Sequence, residues 1–229
     1  MLITGTVSLT NYSAFAQHHE IGIGPGGLNY AGDLQRGYQF SSVRPGGQLY
    51  YRYNYNPVIS LRGSIMAGGL AGSDKKPYDA AGPQRNNAFN LTIIEFSGDF
   101  EYNFLDTKSK NSRNNWTPYL FMGIGAFYMM GDQPVNGVGQ YSSFQPVIPF
   151  GTGVKFDINP NINIEVEFGF RKIFTDWIDD VSQARSSTKN YQYGNKYDND
   201  WYNFFGLTIS YTIYGIDCPY DFYNIQPGK

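Results

Sequence analysis

Beyond Gln17 the chain alternates apolar and polar residues with a period of two, the spacing of side chains that leave an extended strand on opposite faces. Residues 48–55 are the cleanest case: Leu49, Tyr51, Tyr53 and Tyr55 share one face, and Gln48, Tyr50, Arg52 and Asn54 the other. Asn56-Pro57 stops this run, because both residues favour a turn over a continued strand. The alternation resumes with Ile59, Leu61, Gly63, Ile65 and Ala67 opposite Ser60, Arg62 and Ser64. Residues 94–104 set Phe96, Phe100, Tyr102 and Phe104 against Glu95, Ser97, Asp99 and Glu101. Residues 150–158 set Thr152, Val154, Phe156 and Ile158 against Gly153, Lys155 and Asp157, and Asn159-Pro160-Asn161 supplies a second tight turn. After it, Ile162, Ile164, Val166, Phe168 and Phe170 oppose Asn163, Glu165, Glu167 and Arg171. In the last run, 201–214, Leu207, Ile209, Tyr211 and Ile213 oppose Gly206, Thr208, Ser210 and Thr212. Two less regular stretches complete the set: the Gly-rich 20–30, and 119–130, which is apolar on both faces near its centre.

About eight strands follow. Short connections at 56–57 and 159–161 alternate with long ones at 31–45, 71–87, 131–143 and 175–200, and one short-side turn, 105–115, is longer and polar. That rhythm belongs to barrels of the bacterial outer membrane, with tight periplasmic turns and extended outer loops. The expected fold is all-β: an eight-stranded antiparallel up-and-down transmembrane β-barrel, with the N- and C-termini in the periplasm.

Charge decides which face is inside. Only 16% of residues are charged, too few to solvate the outside of a soluble barrel whose apolar faces pointed inward. With the apolar faces toward lipid, the interior receives Arg52, Arg62, Glu95, Asp99, Glu101, Lys155, Asp157, Glu165, Glu167 and Arg171. Paired and hydrogen-bonded across a narrow lumen, such charges are tolerated where a lone one would cost several kcal/mol. A plug of side chains is expected in place of a pore. Tyr30, Trp116, Trp201 and Tyr214, near strand ends, are placed in belts at the two lipid–water interfaces.

The remaining features mostly exclude functions. A net charge of -2 offers no attraction for nucleic acid. The longest apolar stretch, 121–130, is too short for a membrane-spanning helix. Cys218, the one cysteine, allows no disulfide framework. Ala14-Phe15-Ala16 before Gln17 has the small-residue pattern of a signal-peptide cleavage site. The chain therefore divides into a signal-peptide remnant (1–16), a barrel (17–214) and a periplasmic tail (215–229). His18 and His19, the only histidines, fall before the first expected strand and are read as a flexible polar segment, not as part of a catalytic constellation. Asp176, Asp179 and Asp180 lack EF-hand spacing and are read as capping the barrel rim rather than binding calcium. Gly22, Gly24, Gly26 and Gly27 lack the Lys-Ser/Thr of a phosphate loop and are read as relieving crowding in a bent strand. No enzymatic activity, cofactor, metal or small-molecule substrate is expected.

Three stretches carry a resemblance: Glu20-Ile21-Gly22-Ile23-Gly24 through Asn29-Tyr30-Ala31-Gly32-Asp33-Leu34, then Phe174-Thr175-Asp176-Trp177-Ile178-Asp179-Asp180-Val181-Ser182, then Asp200-Trp201-Tyr202 through Gly206. Over residues 20–214 the chain resembles a family of small outer-membrane barrels from Bacteroidota that includes the PorG component of the type IX secretion system. The most distinctive part contains Thr175, Asp176, Trp177, Asp179 and Asp180. The resemblance implies a non-catalytic barrel in outer-membrane lipid, associated with a periplasmic ring built from a lipoprotein and its partner. The tail, with Cys218, Pro219, Tyr220, Phe222 and Tyr223 and little charge, suits contact with that ring, together with the turn 105–115. The competing reading is a structural or adhesive barrel that acts through its extracellular loops.

Overall fold

The computed structural model describes residues 18–31, 42–73, 88–107, 114–130, 144–174 and 201–214. They form eight strands: β1 His18–Ala31, β2 Arg44–Asn54, β3 Ile59–Ser73, β4 Ala88–Asn103, β5 Trp116–Met130, β6 Phe144–Asp157, β7 Ile162–Ile173 and β8 Trp201–Tyr214. Each pairs antiparallel with its neighbour in sequence, and β1 closes on β8 with His18 opposite Tyr214 and Ala31 opposite Trp201. Closure leaves no sheet edge, so strand backbone groups find partners without water, as lipid requires.

The two asparagine–proline turns form as expected. The Asn56 side-chain oxygen accepts from the backbone N–H groups of Val58 (2.9 Å) and Ile59 (2.7 Å). The Asn159 side-chain oxygen likewise accepts from those of Asn161 (2.9 Å) and Ile162 (2.8 Å). Each side chain replaces a backbone acceptor at the bend.

Through most of each strand the faces divide as the alternation predicts. Leu49, Tyr51, Leu61, Ile65, Phe96, Phe100, Leu207, Ile209 and Tyr211 are exposed on the outer surface, while Gln48, Tyr50, Arg52, Asn54, Arg62, Glu95, Asp99 and Glu101 are buried in the lumen. A surface this apolar around a charged interior is satisfied by hydrocarbon and not by water. The chain is a transmembrane barrel.

At the end from which the longer connections leave, the polarity inverts. In β4, Ile94 and Phe96 face out and Glu95 in, but one step further Thr92 and Asn90 are exposed while Ile93 and Leu91 are buried. In β8, Phe205 and Leu207 face out, whereas Phe204 and Tyr202 are fully buried. Leu28, Tyr30, Met66, Leu70, Leu91, Ile93, Phe127, Met129, Val147, Ile173, Tyr202 and Phe204 make one apolar cluster inside this end. The strands run to 16 residues in β4, beyond the roughly 9–11 that cross a bilayer. Past the hydrocarbon their outer face meets water, so the apolar side chains turn inward, as in a soluble barrel. The inversion is written as consecutive apolar residues, Ile93-Ile94 and Phe204-Phe205.

Two expectations are corrected here. His18 and His19 are not a segment ahead of the barrel, because β1 begins at His18 and His19 pairs with both Tyr53 and Ile213. Tyr30 is not in an interfacial belt but fully buried inside. It shares parity with Glu20 along β1, and beyond the inversion that inward face is the apolar one. Trp116 is exposed on the outer face at one end, and Trp201 lies half-buried at the other with the Lys172 ammonium 5.3 Å above its ring.

Candidate functional site in the barrel lumen

The inward positions of five strands converge on one chain of alternating charge. Arg52 on β2 reaches Glu20 on β1 at 2.8 Å, Glu165 on β7 at 2.6 Å and Glu101 on β4 at 2.7 Å. The last contact joins Arg52 Nε to Glu101 Oε2 without hydrogen-bond alignment, and Nη2 donates to Glu101 Oε1 at 3.1 Å. Glu101 also holds Arg62 of β3 at 3.1 Å, and Arg62 binds Asp99 at 3.2 Å and Glu167 through Nη1. Arg171 stands 3.9 Å from Glu167 and 3.6 Å from Glu95. The sequence of contacts is thus Glu20, Arg52, Glu101, Arg62, Glu167, Arg171, Glu95, with Glu165 and Asp99 as branches.

Tyrosines and amides complete it. The hydroxyl of Tyr50 donates to Glu165 at 2.6 Å, that of Tyr119 to Glu167 at 3.0 Å, and that of Tyr202 to Glu95. Glu20 receives Ser210 Oγ at 2.6 Å, Asn163 Nδ2 at 3.0 Å and Asn54 Nδ2 at 3.2 Å. The Arg52 guanidinium lies 4.5 Å from the Tyr50 ring centre, and Arg171 lies 5.1 Å from that of Phe204, where the charged layer meets the apolar cluster. The Tyr50 and Tyr119 rings occupy the space where a Cβ on Gly22 or Gly153 would stand. Glycine at those positions lets a full aromatic ring cross the lumen.

Nine of the ten interior charges expected from the sequence are buried here, and Asp157 is half-buried at the short-turn end of β6. Lys155 has no hydrogen-bond acceptor among the described residues and sits 5.5 Å over the Tyr119 ring. The alternation missed Glu20, the acid at one end of the network. It stands in the least regular strand, and its signal was parity with the glycines it shares an inward face with. Thr175, Asp176, Trp177, Asp179 and Asp180, and Cys218, Pro219, Tyr220, Phe222 and Tyr223, lie outside the described residues, as do most of the turn 105–115 and the segment 1–16.

Arg52, Glu20, Glu101, Phe127 and Phe204 are fully buried. Each carboxylate of the network is engaged with a cation, a phenol or an amide. Among the described residues no group of three or more His, Cys, Asp or Glu side chains is arranged to hold a metal ion.

A family model described as domain of unknown function (DUF6089) matches residues 1–220, and the chain belongs to that family. No curated protein matches it. Among solved structures, the fold is similar to that of Neisserial surface protein A (NspA), at 12% identity and a TM-score of 0.52 over 85% of this chain and 97% of that one. It is also similar to Ail, the attachment invasion locus protein of Yersinia pestis, at 15% identity and a TM-score of 0.49 over 87% of this chain and 100% of that one. OprG from Pseudomonas aeruginosa aligns at 9% identity and a TM-score of 0.48, over 87% of this chain and 97% of that one.

Proposed function

We propose that this DUF6089 family member is a plugged, non-catalytic barrel of the outer membrane, with both chain ends in the periplasm, that anchors the periplasmic ring of a type IX secretion system. The observation that carries the non-catalytic part is the lumen. Among the described residues most of its charges are paired with one another, and the end from which the longer connections leave is filled by Phe127, Phe204 and their neighbours, an arrangement that favours a plug over a conduit or a reactive cleft. The termini of the barrel, His18 and Tyr214, lie at the same end as the connections 55–58, 104–115 and 158–161. In outer-membrane barrels the short turns are periplasmic, which supports that orientation. The secretion role rests on the PorG-like resemblance of residues 20–34, 174–182 and 200–206.

Crosslinked membranes test it directly. The full chain should co-purify the ring lipoprotein and its partner, and deletion of residues 218–229 should release them while the barrel stays in the membrane. Co-purification that survives the deletion removes the tail as the contact, and its absence from the full chain removes the secretion role.

A second reading, a structural or adhesive barrel working through its extracellular loops, is favoured by one observation. The apolar-cored extension of β3, β4 and β8 carries the ends of those strands beyond the hydrocarbon. Removing residues 131–143 should then abolish surface attachment and leave ring association intact.

A further inference from the structure

The outer face carries a groove inside its apolar band. Gly63 and Gly98 are paired across β3 and β4, and nothing lies within 4 Å of a Cβ placed on either. The register runs Tyr51, Gly63, Gly98, Ile124 from β2 to β5, so two glycines are framed by a tyrosine and an isoleucine. The adjoining row, Tyr53, Leu61, Phe100, Met122, forms a side wall. The space is about 600 Å³. Ile124 at 75% and Met122 at 63% exposure raise its far end above the surrounding surface. Three strand spacings make it roughly 14 Å long.

The groove has a direction. Strands in such barrels tilt by about 35–45°, so a row across them climbs through the membrane. Tyr53 is next to the last residue of β2, at the membrane edge, whereas Met122 in the same row lies well inside β5. At the low end, His19 pairs with Tyr53, and its ring centre lies 5.9 Å from that of Tyr51 and 5.5 Å from that of Tyr53. Its Nδ1 is 2.5 Å from the Tyr51 hydroxyl. Tyr51 and Tyr53 therefore belong both to a polar cluster at the interface and to the wall of an apolar groove leading into the hydrocarbon.

We propose that this surface binds one phospholipid, its phosphate at His19 and Tyr53 and one acyl chain in the groove over Gly63 and Gly98. The inference rests on the barrel's spanning a membrane. The groove is continuous with the lipid-facing band on every side, so hydrocarbon is what reaches it. Arg62 and Asp99 also line the groove, but their side chains are buried toward the lumen and paired with each other at 3.2 Å, so the exposed hydrogen-bonding side chains stand at its interfacial end, the order of head and chain in an amphiphile. His19 Nε2 and the Tyr53 hydroxyl are the donors a phosphate oxygen would accept from.

Native mass spectrometry of the detergent-solubilised full chain with added dimyristoyl phosphatidylglycerol tests this. The wild type should retain a single lipid. Gly98→Leu, whose added Cβ has nothing within 4 Å and whose side chain takes up groove space, should lose it, and His19→Ala should hold it several-fold more weakly. Ile209→Leu, elsewhere on the outer face, should bind as wild type. Equal retention by Gly98→Leu overturns the site. So does a two-copy species that survives delipidation and disappears in Gly98→Leu, which would seat a second chain in the groove. All four chains should partition into detergent. A wild type that stays soluble without it would overturn the membrane reading itself, a result distinct from loss of the lipid adduct.

Discussion

Replacing Arg52 by Met should be among the most destabilising single changes in this barrel. Arg52 is fully buried and answers three carboxylates, Glu20 at 2.8 Å, Glu101 at 2.7 Å and Glu165 at 2.6 Å. Removing one partner of a buried ion pair typically costs about 3–5 kcal/mol, because the other charge is left without compensation. With three acids released at once, the upper end, about 5 kcal/mol, is expected. The buried charged residues already hold six carboxylates, Glu20, Glu95, Asp99, Glu101, Glu165 and Glu167, against four cations, Arg52, Arg62, Lys155 and Arg171. Losing a cation therefore deepens an existing imbalance, and losing an acid relieves it. In urea titrations of the barrel refolded into lipid, an m-value of roughly 2 kcal/mol/M would lower the midpoint by about 2.5 M. Adding Glu165→Gln to Arg52→Met should recover about 1–2 kcal/mol, since it removes one of the stranded charges. If Arg52→Met costs less than about 1 kcal/mol, the scale of an exposed pair, the network is solvated and the sealed-lumen reasoning fails.

The polarity inversion makes a paired prediction: Ile94→Lys, in the lipid band, should destabilise the inserted barrel by up to about 2–4 kcal/mol, whereas Thr92→Lys, two residues further out, should cost about 0–1 kcal/mol in the same folding titration. Gly22→Ala should cost about 1–3 kcal/mol by driving a methyl into the Tyr50 ring, while Gly63→Ala, facing open space, should be neutral or stabilising by about 0.4–1 kcal/mol in parallel thermal melts. Tyr202→Phe should cost about 1–3 kcal/mol in urea unfolding, because it strips a donor from buried Glu95 and leaves Arg171, 3.6 Å away, as its cation.

The number of strands, their pairing order and the split between lipid-facing and lumen-facing side chains were legible because a strand's period is two and only one face here carries charge. Gln48, Tyr50, Arg52 and Asn54 could hardly have pointed elsewhere once Leu49, Tyr51 and Tyr53 faced lipid. The asparagine–proline turns were legible for a similar local reason, since the Asn side chain bonds to backbone two and three residues on. Alternation speaks more weakly where glycine replaces side chains, and that is why Glu20 was missed and β1 begins at His18, earlier than expected.

What the amino-acid order determined by itself was parity, turn chemistry and most of the inventory of buried charge. It did not determine partners. That Arg52 meets Glu165, far along the chain, follows from closure of β1 on β8, which brings inward positions of distant strands across one lumen. Nor did parity alone say whether an inward position is polar. Tyr30 and Glu20 share a face of β1, but one lies in the charged layer and the other in the apolar cluster, because only the tertiary structure sets where along each strand hydrocarbon outside gives way to water.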